Sequence, residues 1–196
     1  MIVPVFLRDL RAMVGVADGK GGITSVVEVT FDRGEVIVAA TDSHIVACVS
    51  ELGYAPHEVA LEGSVTVSYY VTAESLRTAL KGVGRSDKPV YLSFEENLTE
   101  LVTTETTFIL TRVSLDAVKT VSKYAALESR PSCVRYPSVT LDSKTIKKAV
   151  TAIHATSPGD TVEFDIVKRD SPLMRWTRER PRGYARVLAQ CKWVSK

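Results

Sequence analysis

The chain has 196 residues, of which 45% are hydrophobic and 24% charged, with a formal net charge of +2. That length and apolar content are enough for a packed core in one large or two small domains and exclude a disordered chain. No apolar run approaches the roughly 20 residues that cross a bilayer, and Met1-Ile-Val-Pro-Val-Phe-Leu-Arg8 lacks the build of a secretory leader, so a cytoplasmic location is expected. The cysteines Cys48, Cys133 and Cys191 are odd in number, widely spaced and free of any C-x-x-C, which argues against a disulfide framework or a zinc site. Charge is unevenly spread: residues 141–196 hold 12 Lys/Arg and 6 Asp/Glu, leaving 13 and 17 for residues 1–140. One part of the surface is therefore suited to a polyanion.

Residues 4–16 read as a helix, because Pro4 suits a first turn and Phe6, Leu7, Leu10, Met13 and Val14 keep helical spacing. Asp18-Gly-Lys-Gly-Gly22 ends it, and without the G-x-x-x-x-G-K-[ST] order this cluster is a connector rather than a phosphate loop. Strands are predicted at 23–31, 35–40 and 45–50, with Asp32-Arg-Gly34 turning the first into the second. An irregular loop at 51–63 leads to a strand at 64–71. A second helix starts at the N-cap Thr72, turns Leu76, Ala79, Leu80 and Val83 inward, and stops at Gly84-Arg-Ser-Asp87. Strands follow at 90–94, 99–103 and 107–113.

The order begins again with Asp142 and Ser143 capping a helix whose apolar face is Ile146, Ala149, Val150 and Ile153. Ser157-Pro-Gly-Asp160 ends that helix, and strands are predicted at 161–167, 173–177 and 184–194. Sliding the chain by about 70 residues lays Val71 to Leu80 on Leu141 to Val150, apolar on apolar and cap on cap, and the same shift puts Phe6 on Leu76 and Leu10 on Leu80. The sequence thus contains three copies of one module. The expected division is 1–113 with two modules, a 114–138 linker, and a half-domain at 139–196. Within the linker, Ser114 to Leu127 is compatible with a helix, and Arg130 to Pro137 is extended by its prolines. The fold class is α+β, with helices on one face of antiparallel sheets.

Away from their apolar faces the three helices carry Arg8 and Arg11; Arg77, Lys81 and Arg85; and Lys144, Lys147 and Lys148, opposed by Asp9 and Glu74. A charged helix face is usually a solvated one, but the same bias in three successive modules points to a shared polyanion. Phosphate attraction needs positive charge and no base-reading side chain, so these eight cations are the expected contacts to double-stranded DNA without sequence specificity. No aromatic residues interleave with them, so a stacking platform for single strands has little support.

The chemistry-bearing stretch is Val36 to Ser50, a β-rich run broken by Thr41, Asp42, Ser43 and His44. Three consecutive residues cannot converge on one reacting atom, so Asp42, Ser43 and His44 are a turn and not a hydrolytic triad. His57 and His154 stand in or beside loops without a nucleophile, carboxylate pair or metal-ligand spacing. No catalytic residue, metal or cofactor is expected, and the chain reads as a non-enzyme.

Thr41-Asp-Ser-His-Ile-Val-Ala47 resembles the Thr-Asp-Gly-His-Arg-Leu-Ala turn of the bacterial DNA polymerase sliding clamps, the beta clamp family, with Ser43 in place of Gly. Asp87-Lys-Pro-Val-Tyr-Leu-Ser-Phe94 is similar to the matching second-half strand of that family, and Val187-Leu-Ala-Gln-Cys-Lys-Trp193 to its C-terminal segment. The resemblance implies a DNA-clamp-like fold in a short, phage-type version matching the middle domain and the last half-domain. It implies a homo-oligomeric ring, associated with the nucleoid, that encircles duplex DNA as a processivity factor. It also implies a hydrophobic cleft for linear motifs of the replicative polymerase and other partners, and a clamp loader. Carried over by position, that cleft uses Ile23, Thr41, Ser43, His44, Val46, Pro89, Phe94, Val187 and Ala189. Ser43 adds bulk to the turn and Ala189 opens the floor. The alternative is a clamp-like adaptor that keeps the peptide cleft and never closes around DNA.

Overall fold

Each module begins with a short strand, not with its helix. The structure, a computed structural model, describes residues 2–17, 20–32, 35–42, 44–52, 67–84, 89–113, 139–156, 163–166, 173–180 and 183–193. Ser43, His57, Arg85, Cys133, the turn at 33–34, most of the 51–63 loop, the 114–138 linker and the stop at 157–160 lie outside the described residues.

The predicted helix at 4–16 is replaced by strand β1 (Ile2–Phe6) running into helix α1 (Leu7–Val16). In β1, Val3 and Val5 are buried while Ile2 is exposed, which is period two rather than 3.6. Pro4 is tolerated because β1 is, among the described residues, an edge strand with a single neighbour. A single 3-10 turn at Gly22–Ser25 then stands where a strand was expected, entered through Gly21 at φ 111° and Gly22 at φ 56°, values that favour glycine. Strands β2 (Val26–Asp32), β3 (Glu35–Thr41) and β4 (Ile45–Leu52) form an antiparallel meander.

The second module contains β5 (Val67–Thr72), α2 (Ala73–Gly82), β6 (Pro89–Phe94), β7 (Thr99–Val102), β8 (Thr107–Ile109) and β9 (Arg112–Val113). The third contains β10 (Val139–Thr140), α3 (Ser143–Thr156), β11 (Glu163–Ile166), β12 (Leu173–Arg180), β13 (Gly183–Gln190) and β14 (Lys192–Trp193).

The helix ends show how the copies correspond. Thr72 Oγ1 accepts the Ser75 amide at 3.3 Å, and Asp142 Oδ2 accepts the Thr145 amide at 3.1 Å, so the second and third modules are offset by 70. At the other end, the Ala17 amide donates to Met13 O at 3.0 Å and the Val83 amide to Ala79 O at 3.1 Å, so the first and second helices are offset by 66. The equivalent residues are therefore Leu10 with Leu76, Arg11 with Arg77 and Val14 with Leu80. The 70-residue alignment of the first module is out by about one helical turn, which still lays apolar on apolar.

The first two modules interlock by exchanging their opening strands: β1 pairs with β6 and β5 pairs with β2. This gives one sheet in the order β1-β6-β7-β8 and another in the order β11-β12-β13-β4-β3-β2-β5-β9. The eight-stranded sheet is continuous because β13 pairs with β4 from Gly183↔Glu51 to Ala189↔Ile45. The third module thus joins the first one, not the second that precedes it. Strand β10 pairs only with β14 among the described residues, repeating the β5–β9 pairing.

The three helices among the described residues lie on one face of the sheets, α1 in the middle with α2 and α3 as its neighbours. A helix covered on several sides must be apolar nearly all round. That is why Leu7, Leu10, Ala12, Met13, Val14 and Val16 of α1 are all buried, together with Asp9. The fold class is α+β, as expected.

Candidate functional site

The β3–β4 turn is organised by Asp42. Its Oδ1 accepts the amides of His44 at 2.9 Å and Ile45 at 2.8 Å, an arrangement that fixes the chain reversal. Thr41 Oγ1 donates to Ile45 O at 2.7 Å, and His44 O accepts the Gln190 amide at 3.2 Å, tying the turn to the end of β13. The other carboxylate oxygen receives Lys148 Nζ of α3 at 2.6 Å. Burial raises the pKa of Asp42, but the Lys148 hydrogen bond, the two turn amides and the Lys148 charge outweigh it and hold the carboxyl below its ordinary value. Asp42 is thus an anchor between modules, a role that the sequence did not assign to it, because its partner lies 106 positions away.

The eight described residues of the nine expected to form a cleft fall on different faces. Successive strand residues point to opposite sides of a sheet. On the outer side, away from the helices, Ile23, Val46 and Tyr184 pack against the buried Ile37, Ala39 and Cys48. The cross-strand partners of Val46 are Thr41 on β3 and Leu188 on β13. His44 is exposed beside them. On the helix side, Val187 and Ala189 are in the main core with Ile45 and Ala47, and each is at most 2% exposed. Phe94 is also core, its ring stacked on Tyr69 at 4.4 Å and edge-on to Phe31 at 6.3 Å. Phe31 pairs with Val36, five residues along β3 from Thr41, or about 16 Å at the rise of a strand. Pro89 is exposed, beside a shallow 270 Å³ depression at the α2 C-terminus. Ile23, Thr41, His44 and Val46 therefore share one region, Val187 and Ala189 support it from beneath, and Phe94 and Pro89 lie elsewhere. Leu188 belongs to the same outer face and was not among the expected residues.

The outer face also buries polar groups. Glu28 is fully buried and accepts Thr30 Oγ1 at 2.8 Å, and Ser50 donates to Glu35. Cys48 lies among them; burial pushes its thiol up to about 12. Such a thiol stays protonated and is a poor nucleophile.

The helix cations fall into two groups. Arg77, Lys81, Lys144 and Lys147 are exposed, as is Arg8, whose guanidinium sits 4.9 Å from the Phe6 ring centroid. Arg11 and Arg77 also serve the helix pair reciprocally: Arg11 donates to Val83 O at 3.0 Å and Gly84 O at 3.1 Å, and Arg77 to Val14 O at 3.4 Å. Both keep their charge in doing so. Lys148 differs, since its ammonium is committed to Asp42. Between α1 and α3 runs a groove of about 430 Å³, with Ala12, Gly15, Ala152 and Ala155 along it and Arg11, Lys144, Lys147 and Lys148 at its sides. Small residues let the helices approach, and the cations make the groove electropositive.

Ion pairs between described residues join the first and third modules. One is Lys148–Asp42, and another is Arg180–Asp9 at 3.0 Å, in which both side chains are 3% exposed. Among the described residues no cluster of three or more His, Cys, Asp or Glu is placed to hold a metal, and no helix is long and apolar enough to cross a membrane.

No protein-family model matches this chain, and no curated protein matches it. Solved structures do. The fold is similar to that of the Caulobacter crescentus beta sliding clamp, with a TM-score of 0.65 at 13% identity. It is also similar to DNA polymerase III subunit beta from Pseudomonas aeruginosa, with a TM-score of 0.61 at 14% identity. The Helicobacter pylori beta clamp bound to DNA ligase peptide gives 0.58 at 10% identity. Each alignment covers 100% of this chain and 65–66% of the other, so the chain spans just under two thirds of those proteins. At such identities the likeness is one of fold.

Proposed function

We propose, with the clamp fold as premise, that this chain is a non-enzymatic sliding clamp whose ring of several copies encircles duplex DNA. The observation that carries the reading is the arrangement of the three described helices on one face of the sheets, with Arg8, Arg77, Lys81, Lys144 and Lys147 exposed along them. A ring holds DNA by topology, so its inner wall needs only mobile phosphate contacts and no base readout. Arg11 adds to that wall from the α1–α3 groove, and Arg85 is assigned to it by the sequence alone. Lys148 contributes through the field of its ion pair rather than as a free cation. In this reading residues 1–113 are a clamp domain, 139–196 a half-domain and 114–138 a linker.

The partner cleft is proposed on the outer face, around Ile23, Thr41, His44 and Val46, with Val187 and Ala189 as its support, and Ser43 is assigned to it by the sequence alone. Apolar anchors of a linear motif need a pocket of this kind with a few polar atoms at its rim. The partners proposed for it are the replicative polymerase and other proteins carrying clamp-binding motifs, as in the Helicobacter pylori clamp with its DNA ligase peptide. Phe94 and Pro89 take no direct part in this version of the cleft.

Topology supplies the test. The protein is incubated with closed circular and with linearised duplex of one sequence, and retention is measured as salt is raised. A clamp stays on the circle at salt concentrations that release it from the linear form. Equal loss from both would reduce the protein to an electrostatic binder and favour the adaptor reading.

A further inference from the structure

Among the described residues, one flank of the third module lacks what covers the corresponding flank in the other two. Leu10 and Val14 of α1 are 0% and 6% exposed, and their equivalents Leu76 and Leu80 of α2 are 1% and 7% exposed, because the first two modules face each other. The same positions of α3 are Ile146 and Val150, 42% and 45% exposed. A helix that was apolar on this side for the same reason as its sisters is left uncovered.

The strands tell the same story twice more. In the interlocked pair, the strand after each helix carries its partner's opening strand on its edge, as β2 carries β5 and β6 carries β1. Strand β11 holds that place in the third module and ends the eight-stranded sheet among the described residues. The opening strand β5 lies between β2 of its partner module and β9 of its own. Its counterpart β10 has β14 on the side of β9 and no described strand on the side of β2. A donor edge and an acceptor edge therefore stand beside an uncovered apolar ridge.

We infer that a second copy of this chain docks here, third module to third module about a two-fold axis, repeating the interlock of the first two modules. The surface is suited to itself because the interlock is reciprocal: each member gives an opening strand and receives one, as an isologous contact requires. In the pair, β10 lies along the partner's β11 and β11 along the partner's β10, while the Ile146 and Val150 ridges of the two α3 helices close on each other. Lys147 stands where Arg11 and Arg77 stand, and both of those reach the last turn or the end of the facing helix. Its counterpart contact is with the final carbonyls of the partner's α3, which offsets the repulsion between two basic helices. The inference shares the ring of the proposed function but stands on the fold alone, and it names which ends of two chains meet.

Mass in solution, measured by light scattering without DNA, tests it, with Ile146→Glu/Val150→Glu as the variant. Both positions are exposed in the single chain, so the variant keeps its fold, and a circular dichroism melt checks that. The expected result is an even multiple of the 21.4 kDa chain mass for the wild type and half that value for the variant. Amide exchange at Glu163–Ile166 should also slow as the wild-type protein is concentrated, a readout that needs no variant. A monomeric wild type, an odd multiple, a variant of unchanged mass, or exchange independent of concentration overturns the inference. Because DNA takes no part, a chain that pairs this way but slips off circular duplex would reject the clamp and keep the pairing.

Discussion

Lys148 Nζ lies 2.6 Å from Asp42 Oδ2 and so fastens the helix of the third module to the β3–β4 turn of the first. Two consequences can be separated by substitution. Asp42→Ala removes the pair and the acceptor of two amides, and should cost about 2 kcal/mol. Asp42→Asn keeps an acceptor for the amides and loses the ionic part. Lys148 is 35% exposed, so that part is screened and under about 1 kcal/mol. Urea unfolding checks both.

The same carboxyl sets a pH dependence. Its folded pKa lies below the ordinary 3.8, so its contribution is complete above that value and is lost as pH falls through the lower, folded one. The stability gap between wild type and Asp42→Asn should be constant from neutrality down to about pH 5 and close below pH 4. A gap that widened on acidification would mean that the carboxyl is raised.

Asp9 and Arg180 are each 3% exposed. Removing one charge of a buried pair costs more than the pair itself contributes, so Asp9→Ala should lose about 3–5 kcal/mol, and Asp9→Leu with Arg180→Met should recover much of it. Denaturant titration of the three proteins decides.

His44 and Phe94 are both expected in the peptide cleft from the sequence, and the structure predicts opposite behaviour for them. His44 is exposed, so His44→Ala should leave stability within about 0.5 kcal/mol and act only on partner binding. Phe94 is 3% exposed against Tyr69 and Phe31, so Phe94→Ala should cost about 3–5 kcal/mol. Peptide binding by fluorescence anisotropy, run beside a thermal melt, separates the two effects.

On the helix face, Lys144→Gln with Lys147→Gln should lower the slope of log affinity against log salt by up to about two, one for each phosphate no longer neutralised. Lys148→Gln should leave that slope nearly unchanged and lower the melting temperature, since its ammonium serves Asp42. Equal slopes for all three lysines would show that the Asp42 pair opens on DNA.

What the sequence made legible was whatever repeats. The caps Thr72 and Asp142 and the apolar positions of α2 and α3 stand where the internal alignment puts them, because local hydrogen bonds and helical period leave marks on neighbouring residues. Pro4 suits both a first helical turn and an edge strand, so helical spacing misassigns the first residues, and only pairing with β6 decides between the two. The residues expected to form a cleft separate for a related reason: Val46 and Ala47 are adjacent in the chain yet lie on opposite sides of the sheet, and an aligned segment carries no face. Ion pairs such as Arg180–Asp9, 171 positions apart, leave no local mark at all.

The seam between β4 and β13 has a mechanical consequence. Seven residue pairs run along it, and an ion pair to each of α1 and the β3–β4 turn bridges the two modules it joins. A load dragging one strand along the other would strain the whole ladder together, so the first and third modules should travel as one stiff plate. Any gap wide enough to admit a strand of nucleic acid would then have to open where separate polypeptides touch.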